Sequence, residues 1–309
     1  MGVLITVAVI AVAAAAGVLA EERWPDRAAA FTRSLLVVSL YTLVPFVVFF
    51  NLARAELDAD VGIGVALGWV GVLAAAALAW LISTRLLGLS RPATGAVMVC
   101  TVVPNSGYLG YPLTGSLLGF DALGEAVVYD IVVAAPSLLL LAFALGAAFG
   151  ERAGESVGER VLAFFTRNPP LYAATAGLLA PAALAPDALV DASRVAVMAL
   201  LPIGFFAVGA ILAEEADEGR FTLGSPFDPP VATAIALRMV VAPGILLALS
   251  LPLIDLPGPY LLLAAMPAGI NTLLVAHVYG LDLRLTAQAV AWSTALAVAA
   301  ALLWLALPY

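Results

Sequence analysis

Ten apolar runs of roughly bilayer length occupy most of this chain, and they constrain its fold more than any other feature. They cover residues 1–20, 34–53, 61–84, 92–118, 123–149, 169–185, 195–213, 230–253, 257–279 and 285–307. Eight hold no Asp, Glu or Arg; the exceptions are the fifth, with Asp130 and, near its start, Glu125, and the eighth, with Arg238. A helix needs about 20 apolar residues to cross a hydrocarbon core of about 30 Å. Barrel strands would instead alternate polar and apolar residues over about 10 positions, and no such alternation occurs here. Of the 309 residues, 64% are hydrophobic and 11% charged, against about 25% charged in a soluble domain. So few charges cannot cover a water-facing surface. A soluble enzyme, a nucleic-acid binder and a disordered chain are excluded. The expectation is an all-α, multi-pass membrane protein of ten transmembrane helices, with the lipid bilayer as its main partner. Residues 1–20 are read as the first span, with a cleaved signal ending at Ala13–Ala16 as the alternative.

Arginine orients the bundle. All 13 basic residues are Arg. Loops after the odd-numbered spans carry Arg23, Arg27, Arg33, Arg85, Arg91, Arg152, Arg160, Arg167, Arg220 and Arg284, whereas loops after the even spans carry only Arg54 and Arg194. Basic residues accumulate on cytoplasmic loops. The odd loops are therefore expected inside and both termini outside, in a cell membrane.

The longest loop, residues 150–168, divides the chain into two sets of five spans, 1–149 and 169–309. An odd number of spans per half forces opposite orientations, which is the topology of an inverted repeat. Internal matches support the division. Leu43-Val44-Pro45-Phe46 with Phe49-Phe50 resembles Leu200-Leu201-Pro202-Ile203 with Phe205-Phe206. Pro104 answers Pro267, and Gly119-Phe120-Asp121 answers Gly280-Leu281-Asp282.

Spans four and nine carry the candidate chemistry. Span four contains Pro104-Asn105-Ser106-Gly107-Tyr108-Leu109-Gly110-Tyr111-Pro112 near its middle, and span nine contains Met266-Pro267-Ala268-Gly269-Ile270-Asn271-Thr272. A mid-helix proline removes a backbone hydrogen bond and clashes with the preceding turn, and Asn, Ser and Gly are poor helix formers. A lone proline in a span is most simply a kink. Paired breaks in two inverted halves, each with an Asn close by, instead point to a transport site, because opened backbone is tolerated at that depth only inside protein or along a wet cavity. Broken helices present free N–H groups and positive dipole ends, which favour an anion. The expected substrate-binding residues are Pro104, Asn105, Ser106, Gly107, Tyr108, Pro267, Gly269, Asn271 and Thr272.

The stretch Val103–Leu113 closely resembles the fourth-helix motif of the auxin efflux carrier family, which includes plant auxin exporters and bacterial malate-permease-like proteins. Asn168-Pro169-Pro170 is similar to that family's entry to the sixth helix; Met266–Asn271, Tyr279–Asp282 and Trp292-Ser293-Thr294 are similar to its ninth and tenth helices. The resemblance implies the fold of bile acid symporters and sodium/proton antiporters, with crossed, broken helices four and nine. It further implies a scaffold of spans one, two, six and seven and a mobile domain moving in an elevator-like manner. Pro104 and Pro267 would be the crossover prolines, Asn105 and Asn271 the substrate-contacting amides. The 19 residues of the central loop leave no room for the long regulatory loop of plant members.

Asp130 and Arg238 are the charges that lie deepest within spans. Asp130, about seven residues or roughly 10 Å into span five, is either a proton or cation coupling site or an acid satisfied by neighbouring hydroxyls. Arg238 is either a structural cation near the crossover, resembling a basic position of the family, or a side chain snorkelling to the headgroups. A direct pair between them is not expected, because their depths differ by roughly 10 Å across the core. His277 and Cys100 are the sole residues of their kinds, so no metal ligand set exists and no cofactor is expected. Cys100 is read as packing, and His277 as interfacial. Gly64/Gly68, Gly115/Gly119 and Gly146/Gly150 are read as helix contacts.

The leading expectation is a secondary transporter, not an enzyme, moving a small organic anion such as a carboxylate, with a homodimer as its assembly. The alternatives are a sodium- or proton-coupled symporter of the bile acid type and a non-transporting membrane sensor on the same fold. Asp130 and Asp282 also faintly resemble the paired aspartates of intramembrane proteases, although Asp282 falls in a loop.

Overall fold

The computed structural model describes residues 3–55, 58–152, 157–166, 168–217, 219 and 224–306. Every regular element among them is helical. In chain order these are α1 (Val3–Arg23), α2 (Pro25–Leu52), α3 (Ala59–Leu86), α4 (Arg91–Val102), α5 (106–117) and α6 (Phe120–Phe149). There follow α7 (Val157–Thr166), α8 (Pro169–Leu179), α9 (Asp187–Asp217), α10 (Pro229–Ser250), α11 (Gly258–Ala264), α12 (Asn271–Tyr279) and α13 (Leu283–Ala306). Six of them (α2, α3, α6, α9, α10 and, over Leu283–Leu303, α13) are long and apolar enough to cross a membrane.

Local chemistry sets the helix ends. Asp58 accepts the Val61 N–H at 2.9 Å, Asn168 that of Leu171 at 3.3 Å, and Asp282 that of Leu285 at 2.9 Å. Each satisfies one orphan donor of a first turn. Gly280 closes α12 in the left-handed conformation, with φ 68°.

Three apolar runs fold differently from a simple span. Spans four and nine are each two short helices, α4/α5 and α11/α12, as their prolines demand. The run at 169–185 is α-helical only over Pro169–Leu179, about 16 Å of rise, with a single 3-10 turn at Ala182–Leu184 beyond it. Ala180 turns extended, with ψ 132°, because Pro181 clashes with a helical residue before it. The linker at 150–168, in turn, contains the helix α7, whose Leu162 and Phe165 are exposed.

Small residues bring the helices together. A Cβ on Gly17 of α1 would fall 2.1 Å from the Phe206 carbonyl oxygen, and one on Gly209 of α9 would fall 2.1 Å from that of Ala14. These two backbones therefore touch. Gly64 and Gly68 seat the rings of Tyr260 and Tyr129, and Gly146 and Gly150 take Tyr279. Gly115/Gly119 differs from the expectation: Gly115 faces Phe120 of the next turn, and Gly119 has nothing within 4 Å.

Candidate functional site

The two breaks meet. Val103 leaves α4 in an extended conformation, with φ −106° and ψ 104°, the geometry preferred before proline. Pro104 then lies antiparallel to Ala268 as an isolated β-bridge. Asn105 donates its N–H to the Pro267 carbonyl at 2.8 Å, and Gly269 donates to the Val103 carbonyl at 2.9 Å. Each break thus supplies the hydrogen bonds that the other has lost, which backbone away from water requires. Gly269 is needed for this approach, since a Cβ there would fall 3.0 Å from the Pro104 carbonyl oxygen. Ser293 of α13 holds the second break from behind, accepting the Ala268 N–H at 3.2 Å.

Arg238 locks the crossing. It is 1% exposed; its Nη1 donates to the Thr101 carbonyl at 3.0 Å and its Nη2 to the Ala264 carbonyl. Those carbonyls end α4 and α11, so one guanidinium caps the negative ends of both leading half-helices. Of the two readings of Arg238, this geometry is that of the structural cation.

The trailing half-helices α5 and α12 begin on the opposite side of the crossing, at a cavity of about 340 Å³. That is within the range of small-molecule sites. Its wall includes Pro104, Asn105, Ser106, Gly107, Tyr108, Gly269, Asn271 and Asp130 from the expected set. The first hydrogen bond into α5 runs from Gly110 N–H to the Asn105 carbonyl at 3.0 Å. Helix geometry therefore leaves the amides of Ser106 to Leu109 without intrahelical acceptors. Asn105 is 5% exposed, whereas Asn271 stands exposed at the wall. Four π-helical turns, Ser39–Leu43, Ser106–Gly110, Asp130–Ala134 and Ser137–Ala142, contribute lining residues. Such turns recur where a helix is reshaped for function.

Asp130 belongs to this cavity. Its carboxylate accepts the Tyr111 hydroxyl at 2.7 Å and, on the other oxygen, the Ser106 hydroxyl. No ion pair joins it to Arg238 among the described residues. Two members of the expected set do not line the cavity. Pro267 is buried within the crossing and offers its carbonyl to Asn105. Thr272 is 0% exposed and turns its hydroxyl back to the Gly269 carbonyl at 2.7 Å. Asn168, noted in the sequence only for its motif, lines the cavity as well as capping α8. Asp282 caps α13, His277 is exposed, and Cys100 is fully buried.

Leu40 and Val44 of α2 and Ala134 and Leu138 of α6 line the cavity. At the other end the same helices converge, where a Cβ on Gly124 would come 2.7 Å from that of Ala55. Polar clasps surround this closed end. Arg194 of α9 pairs with Asp121 at 2.5 Å, and Arg54 bonds the Ala185 carbonyl at 2.7 Å and Asp187 at 2.8 Å. A second, smaller-mouthed cavity of about 350 Å³ lies among Asn51, Arg54, Asp121, Glu125 and Arg194.

A helical membrane protein whose two interrupted helices cross over a polar cavity is, as a class, a transporter. The model of the membrane transport protein family matches residues 3–305. The chain belongs to that family, the auxin efflux carrier family that its span-four motif resembles, and is a membrane transporter, not an enzyme. An uncharacterized transporter of Methanothermobacter thermautotrophicus is 26% identical over 297 residues, covering 93% of this chain and 90% of its own. An uncharacterized transporter of Methanocaldococcus jannaschii is 23% identical over 236 residues, 74% of this chain and 72% of its own.

Proposed function

We propose that this protein moves a small organic anion, in the first place a carboxylate, by alternating access through the crossover cavity. One observation carries the reading. The starts of α5 and α12 and three asparagines, Asn105, Asn168 and Asn271, border a single cavity whose lining, among the described residues, includes no Arg or His. Oriented amides and dipole ends attract an anion without a buried cation to desolvate.

The accompanying architecture is ten spans in two inverted five-helix repeats, 1–149 and 169–309, joined by a cytoplasmic linker. The ten-to-two arginine asymmetry supports a cell-membrane orientation with both termini outside. On that orientation the cavity opens inward, toward Asn168, Phe143 and Leu274, and the Arg194–Asp121 pair lies at the closed outer end. An elevator-like motion would carry α3–α6 and α10–α13 past a scaffold of α1, α2, α8 and α9. The working assembly is proposed as a homodimer, to be read from native mass in detergent.

Flux of carboxylates into proteoliposomes tests the reading. The expected result is saturable uptake that Asn105→Ala abolishes while the protein keeps its thermal unfolding midpoint. Wild-type flux in that variant would sink the site assignment. Binding without flux would favour the sensor alternative.

A further inference from the structure

We propose that Asp130 takes up one proton with each anion entering the crossover cavity, so that the protein is an electroneutral proton–monoanion symporter. The proposal rests on the anion reading above. It starts from where the carboxyl lies. Ser106 is the first residue of α5 and also a hydrogen-bond donor to Asp130. The carboxyl is therefore one short side chain away from the amides at which an anion would dock.

No cation balances Asp130 at close range. Among the described residues no Arg or His lies within ion-pair distance of it. From α5 it faces Tyr111 and, in the same cavity wall, Tyr108. Along its own helix stand Glu125 toward the closed end and Tyr129, whose ring packs 5.0 Å from that of Tyr260 in α11. Neighbouring α8 and α12 contribute the neutral Asn168 and Asn271. On α3 the neutral Trp69 bonds the Val132 carbonyl at 2.9 Å. Arg238 of α10 is committed to the carbonyl ends of α4 and α11.

An ionised Asp130 and a bound anion would thus share one cavity. Two unit charges about 6 Å apart, at an effective dielectric constant near 20, repel by enough to weaken binding roughly 100-fold. A proton from water on the Asp130 carboxyl removes that repulsion. The carboxyl then donates to the Ser106 oxygen, and the freed Ser106 hydroxyl hydrogen turns to the anion. No other bond forms or breaks. The empty site (carboxylate alone) and the loaded site (neutral acid plus monoanion) carry the same net charge. The charge carried one way with the anion is thus carried back by the empty site, and a full cycle moves no net charge.

The test uses the full chain in proteoliposomes loaded with a pH-sensitive dye, the voltage set by potassium and valinomycin, with lactate and indole-3-acetate as probes and protein-free vesicles as blanks. Uptake should acidify the lumen and be indifferent to voltage. Apparent affinity should tighten about ten-fold per unit fall in pH above the titration of Asp130, the slope of one linked proton. Asp130→Asn should lose the pH slope and turn voltage-dependent. Voltage-driven uptake without proton entry, a sodium requirement, or an unchanged pH slope in Asp130→Asn would overturn the proposal.

A second measurement needs no substrate. The infrared carboxylic-acid band absent from Asp130→Asn should titrate in the reconstituted protein within the pH range over which uptake is measured. A group ionised throughout that range overturns the proposal even if flux persists. Normal infrared titration with no flux of either probe locates the failure in the anion reading, and the symport proposal falls with it.

Discussion

The two breaks at the crossover are alike in backbone and unlike in chemistry. Both replace a helical turn with extended chain around a proline, and they satisfy one another through the Asn105–Pro267 and Gly269–Val103 bonds. Arg238 serves both equally, holding one carbonyl at the end of each leading half-helix. Beyond the crossing the symmetry ends. The first break resumes as a π-turn beside Asp130 and Tyr111, with its asparagine buried. The second resumes as an ordinary helix tied to Ser293, with its asparagine exposed to the cavity. Inverted repetition can duplicate a backbone device, while one titratable group on one side gives the device a direction.

The largest effect should come from the element the two breaks share. Arg238→Met strands two buried carbonyl ends, and at about 1–3 kcal/mol for each unsatisfied acceptor a loss of about 2–6 kcal/mol is expected. Thermal unfolding in detergent would read it. Arg238→Lys should recover part of the loss, since a single ammonium lacks the fork that bridges both carbonyls. Equal stability of all three proteins would contradict the shared-cap account.

Next come the asparagines, which separate the breaks. Asn271→Ala should weaken carboxylate binding about ten-fold, the order expected for one hydrogen bond to a charged ligand, with no change in unfolding midpoint. Asn105→Ala, at the buried break, should stop flux altogether. Isothermal titration and vesicle uptake on the two variants would distinguish them, and identical behaviour would erase the asymmetry.

Ser293→Ala probes the tie found only at the second break. Leaving the Ala268 N–H unsatisfied should cost about 1–3 kcal/mol, measured by denaturation, with the pH profile of uptake unaltered. Smallest of all should be Arg54→Ala and Arg194→Ala at the second cavity. Their partners Asp187 and Asp121 are nine-tenths exposed, so each pair contributes about 0–1 kcal/mol. A larger loss would mean that this clasp, not the crossover, holds this state together.

The breaks were legible in the sequence because proline acts locally. It has no N–H to give and it constrains the residue before it, so Pro104 and Pro267 announce opened backbone wherever they stand. The same rule, applied at Pro181, could have shortened the sixth run, which composition alone read as a full span. Partners were harder to read. Arg238 bonds carbonyl oxygens, which every residue carries and no residue type marks. Asp130 was placed by counting along its own helix, whereas its depth relative to Ser106 depends on how α5 and α6 pack. The close approach of α1 and α9, Gly17 against Phe206 and Gly209 against Ala14, joins residues far apart in sequence and escapes any spacing rule. Asn168 is ambiguous for another reason, since Asn before two prolines already has a sufficient role as a cap.

The central claim is that the crossing, and not the arginine-lined second cavity, receives the anion. The most direct measurement is an experimental density map of the protein with a bound carboxylate. The account predicts ligand density in the cavity bordered by Ser106, Asp130 and Asn271, its carboxylate facing the starts of α5 and α12. Density among Arg54, Asp121 and Arg194, with the crossover cavity empty, would contradict it.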